Sequence, residues 1–342
     1  MDELPLAEIF LLAMWICLAA YALFGGADFG GGFWDLIAGR AEQGRPQRSL
    51  IEHSIGPIWE ANHVWLIFVI ILAWTGVPSV FAAVSSTLYI PLTLAALGII
   101  ARGSAFAFRK VSTELWQQRL FGAAFAFSSV FTPFFLGTVA GALASGRVPP
   151  TIAGGHPITS WVNPTSLTSG LLAVATTAYL AAVYLTHDAR RQRDPQLVEA
   201  FRARATAAGV AMGLLAGAEL VVLRWAAPQL FQDLIGGNAT PVLVISVAAG
   251  IISLVLVRAR YFLAVRLTAA LAVAALIWAW GVAQYPEILP GTTLEEVAAT
   301  PEVLAINLVV IVIAGILVIP SLWWLYAIFQ RDQPHTVHTA RH

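Results

Sequence analysis

A run of polar residues at the start of an apolar segment is the strongest candidate for chemistry in this chain. Trp59, Glu60, Asn62 and His63 precede a long run of aliphatic residues. Glu60 and His63 are three residues apart, so they share one face of a helix. A charged group within a membrane span costs about 2.5–3.5 kcal/mol on insertion scales, and such groups usually carry protons, ions or substrate. We therefore expect a proton path at Glu60, with the other three residues supporting it.

A second polar cluster is the glycine-rich segment GGADFGGGFW (25–34), which contains Asp28. The hydropathy pattern predicts that the first span ends here, so that Asp28 reaches the cytoplasmic surface. In one interpretation Asp28 belongs to the same proton path. In the other it caps the turn that follows the helix. The residue types alone favour neither.

Arg102 follows an apolar stretch directly and is predicted to close the third span. It could hold a carboxylate or an anionic headgroup, which makes it the candidate cofactor-binding residue. The alternative is ordinary anchoring of a helix end at the inner membrane face. Arg102 or His53 could also neutralise a buried Glu60, which would then be structural.

The composition defines the class of protein. Of 342 residues, 58% are hydrophobic and 11% are charged, whereas soluble domains carry about 25% charged residues. Segments of about 20 apolar residues are long enough to cross a bilayer, and nine such segments predict an all-α polytopic membrane protein with one membrane domain, residues 1–342. The predicted spans are 7–27, 56–76, 79–101, 120–142, 166–186, 206–227, 240–257, 264–284 and 303–329.

The basic residues predict the orientation. If the N-terminus lies outside, all but two of the 19 Lys and Arg residues fall in inner regions, the exceptions being Arg147 and Arg224. Positive residues concentrate in cytoplasmic loops, so we expect the N-terminus outside and the C-terminus in the cytoplasm.

The other polar residues in the spans are interpreted as structural. Ser128, Ser129 and Thr132 in the fourth span should pack helices closely. Glu219 is expected either to pair with Arg224 or to extend toward the membrane interface, and Asn307 is expected to link two helices.

The chain is poor in residues that could bind haem. Haem iron takes His, Met, Cys or Tyr ligands, and the predicted spans contain His63, Met14 and Met212 but no facing pair of histidines. The single cysteine, Cys17, excludes a cysteine cluster. We predict no metal site and expect any redox cofactors to lie mainly in a partner.

The two motifs, GGADFGGGFW (25–34) and SIGPIWEANHVWLI (54–67), resemble subunit II of the cytochrome bd-type quinol oxidases, as does Arg102. The resemblance implies two four-helix bundles, here residues 1–142 and 166–284, and a peripheral helix at 303–329. It implies a heterodimer with a subunit I that carries two b haems and a d-type haem, in a bacterial inner membrane. A bound quinone and a small third subunit are compatible with it.

The resemblance also implies an activity. Such a complex oxidises ubiquinol or menaquinol and reduces oxygen to water, and the Trp–acid pair on the family's cytoplasmic proton path falls on Trp59 and Glu60. The family's acid at the end of the first helix falls on Asp28, which we expect to be the entrance of that path. Two alternatives stay open from the residues themselves: a purely structural assembly subunit, and a proton-coupled secondary transporter. A transporter would be expected to place binding groups in both halves of the chain, whereas these polar groups crowd into the first third.

Overall fold

Long helices make up nearly all of the computed structural model, which describes residues 5–39, 42–55, 59–112 and 114–330. Eight of the described helices are long and apolar enough to cross a membrane, and a ninth span is added if one bent helix pair is counted. The all-α polytopic prediction is confirmed. The helices that correspond to the nine predicted spans are α1 (Leu6–Leu36), α3 (Trp59–Gly76), α5 (Tyr89–Val111), α6 (Leu115–Ala144), α7 (Pro164–Arg191), α8 (Pro195–Ala226), α10 (Thr240–Arg258), α11 (Phe262–Gln284) and α13 (Pro301–Gln330).

Short elements connect these spans. Hydropathy did not predict them as separate elements, because they are too short or too polar to cross a bilayer. They are α2 (Arg45–Ile55), α4 (Pro78–Thr87), α9 (Pro228–Gly236), α12 (Leu294–Val297) and an antiparallel hairpin of β1 (Glu287–Leu289) and β2 (Thr292–Thr293).

The predicted third span, 79–101, is wrong in its bounds. Residues 78–87 form the separate helix α4, which bends by 116° from α3, and the span itself is α5. The reason is backbone chemistry: Pro78 lacks an amide hydrogen and begins α4, and Pro91 lies in the first turn of α5, where proline is tolerated. Arg102 therefore lies inside a helix and does not close it.

The first span is also longer than the predicted 7–27. The glycine-rich segment does not end α1, which continues to Leu36. Trp34 fixes the additional turns by donating a hydrogen bond from Nε1 to the Ala178 carbonyl of α7, at 2.8 Å. The prediction that Asp28 caps a helix end is therefore wrong, because Asp28 lies in the interior of α1.

The spans pack around α1 and α7. α1 contacts α3, α6, α7 and α11, while α8 packs along α7 and α10 packs along α11. α13 lies at the periphery against α1 and α3. Only 6% of its most apolar stretch is buried against the rest of the described chain. The division into two four-helix bundles stays a prediction, because α1 and α6 also pack extensively on α7.

Candidate functional site

A buried ion pair joins the two charged residues that the sequence singled out in α1 and α5. Arg102 donates from Nη1 to Asp28 Oδ2 at 2.6 Å and from Nη2 to Asp28 Oδ1 at 2.7 Å. Nη2 also donates to the Asp28 main-chain carbonyl at 3.1 Å. Arg102 is 1% exposed and Asp28 is 3% exposed. Of the alternatives for Arg102, binding of a carboxylate is the one observed, and the carboxylate belongs to this chain.

The rest of the guanidinium is also satisfied. Its Nε donates to Ser129 Oγ of α6 at 3.0 Å, and the Phe29 and Phe125 rings each lie 4.8 Å from its central carbon. Aromatic faces attract cations, and the attraction is stronger where water is excluded. Buried charges persist when they are paired and hydrogen-bonded. Three helices therefore meet at one neutral, water-excluded contact.

The glycines of the first motif create the close packing that this contact needs. A Cβ built on Gly30 would lie 1.8 Å from the Thr177 carbonyl oxygen of α7. A Cβ built on Gly32 would lie 2.1 Å from Ser129 Oγ of α6. Only glycine allows backbones to approach so closely. The motif therefore positions α1 against α6 and α7. This position of α1 brings Asp28 next to Arg102.

The second motif is linked to the ion pair by one aromatic ring, that of Phe29. The centroid of the His63 ring on α3 is 6.3 Å from that of Phe29, whose ring also contacts the Arg102 guanidinium. On its other side His63 is 6.5 Å from the Tyr21 ring of α1. The structure thus brings His63, Asp28 and Arg102 into one region.

The remaining predicted site residues begin α3. Asn62 is 5% exposed and is part of the same buried region of the helix. Trp59 and Glu60 form the first turn of α3, one turn before His63, but their side chains lie outside the described part of the chain. His53, the other candidate partner of Glu60, lies on α2.

Two residues of this region were missed by the sequence analysis. Ser129 was interpreted only as a packing residue, yet it accepts a hydrogen bond from Arg102. Tyr21 is 7% exposed, and its hydroxyl has no hydrogen-bond partner among the described residues. A signal for Tyr21 was present: it precedes Asp28 by seven residues, two helical turns, and so lies on the same face of α1.

Glu219 does not pair with Arg224 as predicted. Its Oε1 accepts a hydrogen bond from Ser169 Oγ of α7 at 2.7 Å, while the Arg224 guanidinium lies over the Trp225 ring. A buried carboxylate needs a polar partner, and Glu219 is 8% exposed, so it turns inward toward α7. The prediction for Asn307 is confirmed: its Oδ1 accepts from Thr75 Oγ1 at 3.0 Å and links α13 to α3.

The region around His63 does not fit a haem. The His63 ring, the candidate ligand inside the spans, is packed between Tyr21 and Phe29. At the Gly30–Thr177 contact, α1 and α7 approach too closely to admit even a methyl group. A porphyrin needs an open face as well as an axial ligand, and this part of the bundle offers none.

Comparison with known proteins identifies the family of this chain. Two curated relatives match part of the chain. The "Cytochrome bd ubiquinol oxidase subunit 2" of Bacillus subtilis (strain 168) is 31% identical over 131 residues, which are 37% of this chain and 38% of that protein. The "Cytochrome bd-I ubiquinol oxidase subunit 2" of Escherichia coli (strain K12) is 28% identical over 148 residues, 42% of this chain and 38% of that protein. Each match therefore spans well under half of the relative's length.

The fold matches over almost its whole length. A chain from the structure of the bd oxidase of Geobacillus thermodenitrificans superposes with a TM-score of 0.81 at 24% sequence identity, and the match covers 96% of this chain and 99% of that one. The pattern of the family described as "Cytochrome bd terminal oxidase subunit II" matches residues 6–329. The chain therefore belongs to the cytochrome bd terminal oxidase subunit II family.

Proposed function

We propose that this chain is the second subunit of a bd-type quinol oxidase, a complex that oxidises quinol and reduces oxygen to water. In this proposal it supports a haem-bearing subunit I and supplies part of a proton path through Glu60. One observation carries the proposal beyond family membership. His63 on α3 packs on Phe29, which also contacts the Arg102–Asp28 pair. This packing supports the proposal, because the helical turn that begins with Trp59 and Glu60 leads directly into His63 beside the buried ion pair.

The chemistry requires a group that can move protons. Oxygen reduction consumes protons, and a low-dielectric site tolerates added charge poorly, so each electron delivered to a buried centre calls for a compensating proton. Glu60 would receive protons from the cytoplasm, and His63 and Asn62 would orient it. Trp59 would support the same path as the other member of the Trp–acid pair.

Asp28 has a different part in this proposal from that of a proton entrance. Its two carboxylate oxygens are both held by Arg102, and a bidentate, charge-assisted pair is strong and geometrically fixed. Asp28 therefore acts as a support that sets the position of α1 and α5, and the moving proton is assigned to Glu60 alone. Arg102 is the other half of that support, and binding of a cofactor is not among its roles in this proposal.

The partner, the cofactors and the location belong to the same proposal. The partner is subunit I in the inner membrane of a bacterium, and it carries the b and d haems, which supply the electron transfer and oxygen chemistry. A bound quinone and a small third subunit are compatible with it. The basic residues support an N-terminus outside and a C-terminus in the cytoplasm, because Arg190, Arg191, Arg193, Arg258 and Arg260 cluster at the α7–α8 and α10–α11 turns.

The decisive experiment is quinol oxidase turnover of Glu60→Gln in the purified complex. We expect turnover to fall about a hundredfold, the lower end of what a positioned proton-transfer group contributes, with the reduced-minus-oxidised haem spectrum unchanged. Glu287→Gln, in the exposed hairpin, is the matched control and should leave turnover unchanged. Unchanged turnover in a correctly assembled Glu60→Gln complex would refute the proton path.

A purely structural subunit is the second candidate function. It is favoured by the Asp28–Arg102 contact, in which both charges are already paired within this chain. In that case Glu60→Gln would lose haem and subunit I together, or lose neither.

A haem spectrum of the gently purified complex separates both candidates from a transporter. Haem bands with a co-purifying partner support an oxidase, and a d-type band narrows it to a bd oxidase, whereas a colourless isolated chain would refute it.

A further inference from the structure

A basic groove lies between α8 and α10, far along the chain from the two motifs. It has a volume of about 620 Å³ and is lined by Arg202, Ala203, Thr206, Ala207, Val210 and Arg258. Arg202 lies near the beginning of α8 and Arg258 is the last residue of α10. Both arginines therefore lie at the same end of the molecule, the end predicted to face the cytoplasm.

The charges at the mouth of the groove do not cancel. The carboxylate of Glu199 accepts a hydrogen bond from Arg202 Nε at 3.0 Å and another from Arg260 Nη2 at 3.3 Å. One negative charge is thus shared between two guanidinium groups. Arg258 is exposed and has no charged partner among the described residues. The mouth of the groove carries a net positive charge as a result.

Below the charged mouth, the groove continues as an apolar track. Val210 and Leu214 follow Arg202 and Thr206 on one face of α8, because residues four apart are neighbours on a helix surface. Ile251 and Val255 precede Arg258 on one face of α10 in the same way. All four apolar side chains are exposed, from 46% for Val210 to 71% for Leu214.

We propose that this groove binds one anionic glycerophospholipid. The phosphate would lie between Arg258 and Arg202, and an acyl chain would follow the apolar track. Basic pockets between spans on the cytoplasmic side suit anionic headgroups, and the aliphatic stem of an arginine can lie along apolar surface while its head stays polar. α8 and α10 pack mainly on α7, α11 and each other, so the groove lies away from α3 and its motif.

A neighbouring groove makes the assignment specific. It has a volume of about 520 Å³ and contains three arginines, but Asp194 and Glu199 both line it as well. Glu199 is hydrogen-bonded to Arg202 and therefore lies beside both openings, but Asp194 adds a second carboxylate to this one, which would repel a phosphate. The groove that contains Arg258 has no acidic residue in its lining and is therefore the one assigned.

Lipid binding to the purified, delipidated complex tests the proposal. Native mass spectrometry would count the phosphatidylglycerol and phosphatidylcholine that bind to the wild type and to Arg258→Gln. We expect one phosphatidylglycerol to be preferred over phosphatidylcholine, and Arg258→Gln to weaken its binding about fivefold, as for the loss of one basic residue near an anionic surface. Arg119→Gln, on the exposed surface of α6, is the control and should change nothing.

Three results would overturn the proposal. Equal binding of the two lipids would remove the role of charge, and equal loss in Arg119→Gln would make the effect a general one of net charge. Glycerol 3-phosphate carries the headgroup charge without acyl chains. If it protected the complex from thermal unfolding to the same extent as phosphatidylglycerol, the groove would be a simple anion site. Because Arg258 is exposed and at a helix end, its substitution should not impair folding.

Discussion

Asp28 of α1 and Arg102 of α5 form a bidentate ion pair inside the membrane domain, with both side chains almost fully buried. Neither residue lies at a helix end. The pair is neutral as a unit and has Ser129 and two phenylalanine rings around it. Taking two charges out of water is costly, and their attraction repays the cost only with good geometry and further hydrogen bonds. This contact has both.

The pair predicts a non-additive mutant cycle. Asp28→Leu or Arg102→Met alone leaves one uncompensated buried charge and should cost about 3–5 kcal/mol, seen as loss of assembled complex. The double variant removes both charges and should recover much of that loss. Yield and thermal unfolding of the three variants measure it. If the double variant were as damaged as the sum of the single variants, the two side chains would not interact.

The close approach of α1 and α7 predicts opposite effects for two glycine substitutions. Gly30→Ala should destabilise the protein, because the new methyl group would lie 1.8 Å from the Thr177 carbonyl oxygen and force the helices apart. Gly213→Ala on α8 is the control, since a Cβ there meets nothing within 4 Å. It should stabilise the helix by about 0.5–1 kcal/mol. Melting temperatures that moved in the same direction for both variants would contradict the packing described.

The link between Ser169 and Glu219 predicts that the serine matters more than the charge. Ser169→Ala leaves the buried carboxylate without its donor and should cost about 1–3 kcal/mol. Glu219→Gln keeps an oxygen acceptor for Ser169 and should cost less. Ser145→Ala is the control, because among the described residues its hydroxyl bonds only to carbonyls of its own helix. Thermal unfolding in detergent ranks the three, and a larger loss in Glu219→Gln than in Ser169→Ala would contradict the assignment.

The sequence predicted the spans well because twenty apolar residues in a row have few alternatives to a membrane helix. It failed where hydropathy carries no information. The apolar stretch 79–101 reads as one span, yet it is divided at Leu88 into the end of α4 and the start of α5, with Pro91 in the first turn of α5. The glycines at 25–32 look like a helix end until the neighbouring helices are known, and only then does their role in packing become apparent.

For the candidate site, too, the sequence predicted some features and missed others. Asp28, His63 and Arg102 were identified by type, because ionisable residues in apolar segments are rare and usually functional. Their partners were not identified, since Asp28 and Arg102 are far apart in the chain and come together only through the packing of α1, α5 and α6. Glu219 was assigned to the nearer Arg224 for the same reason, whereas its partner Ser169 lies on another helix.

Tyr21 offers the sharpest test of the region around His63. Its hydroxyl is buried and has no partner among the described residues, and such a group costs about 1–3 kcal/mol. Tyr21→Phe keeps the ring beside His63 and removes the unpaired group, so we expect the complex to be at least as stable as the wild type. Tyr179→Phe is the matched control, because the Tyr179 hydroxyl is hydrogen-bonded to Ser253, and its loss should destabilise the protein by about 0.5–1.5 kcal/mol. The melting temperatures of the two variants test this prediction. If the Tyr21→Phe complex melted as early as the Tyr179→Phe complex, the Tyr21 hydroxyl would have to be hydrogen-bonded in the assembled complex. It would then not be an unpaired buried group.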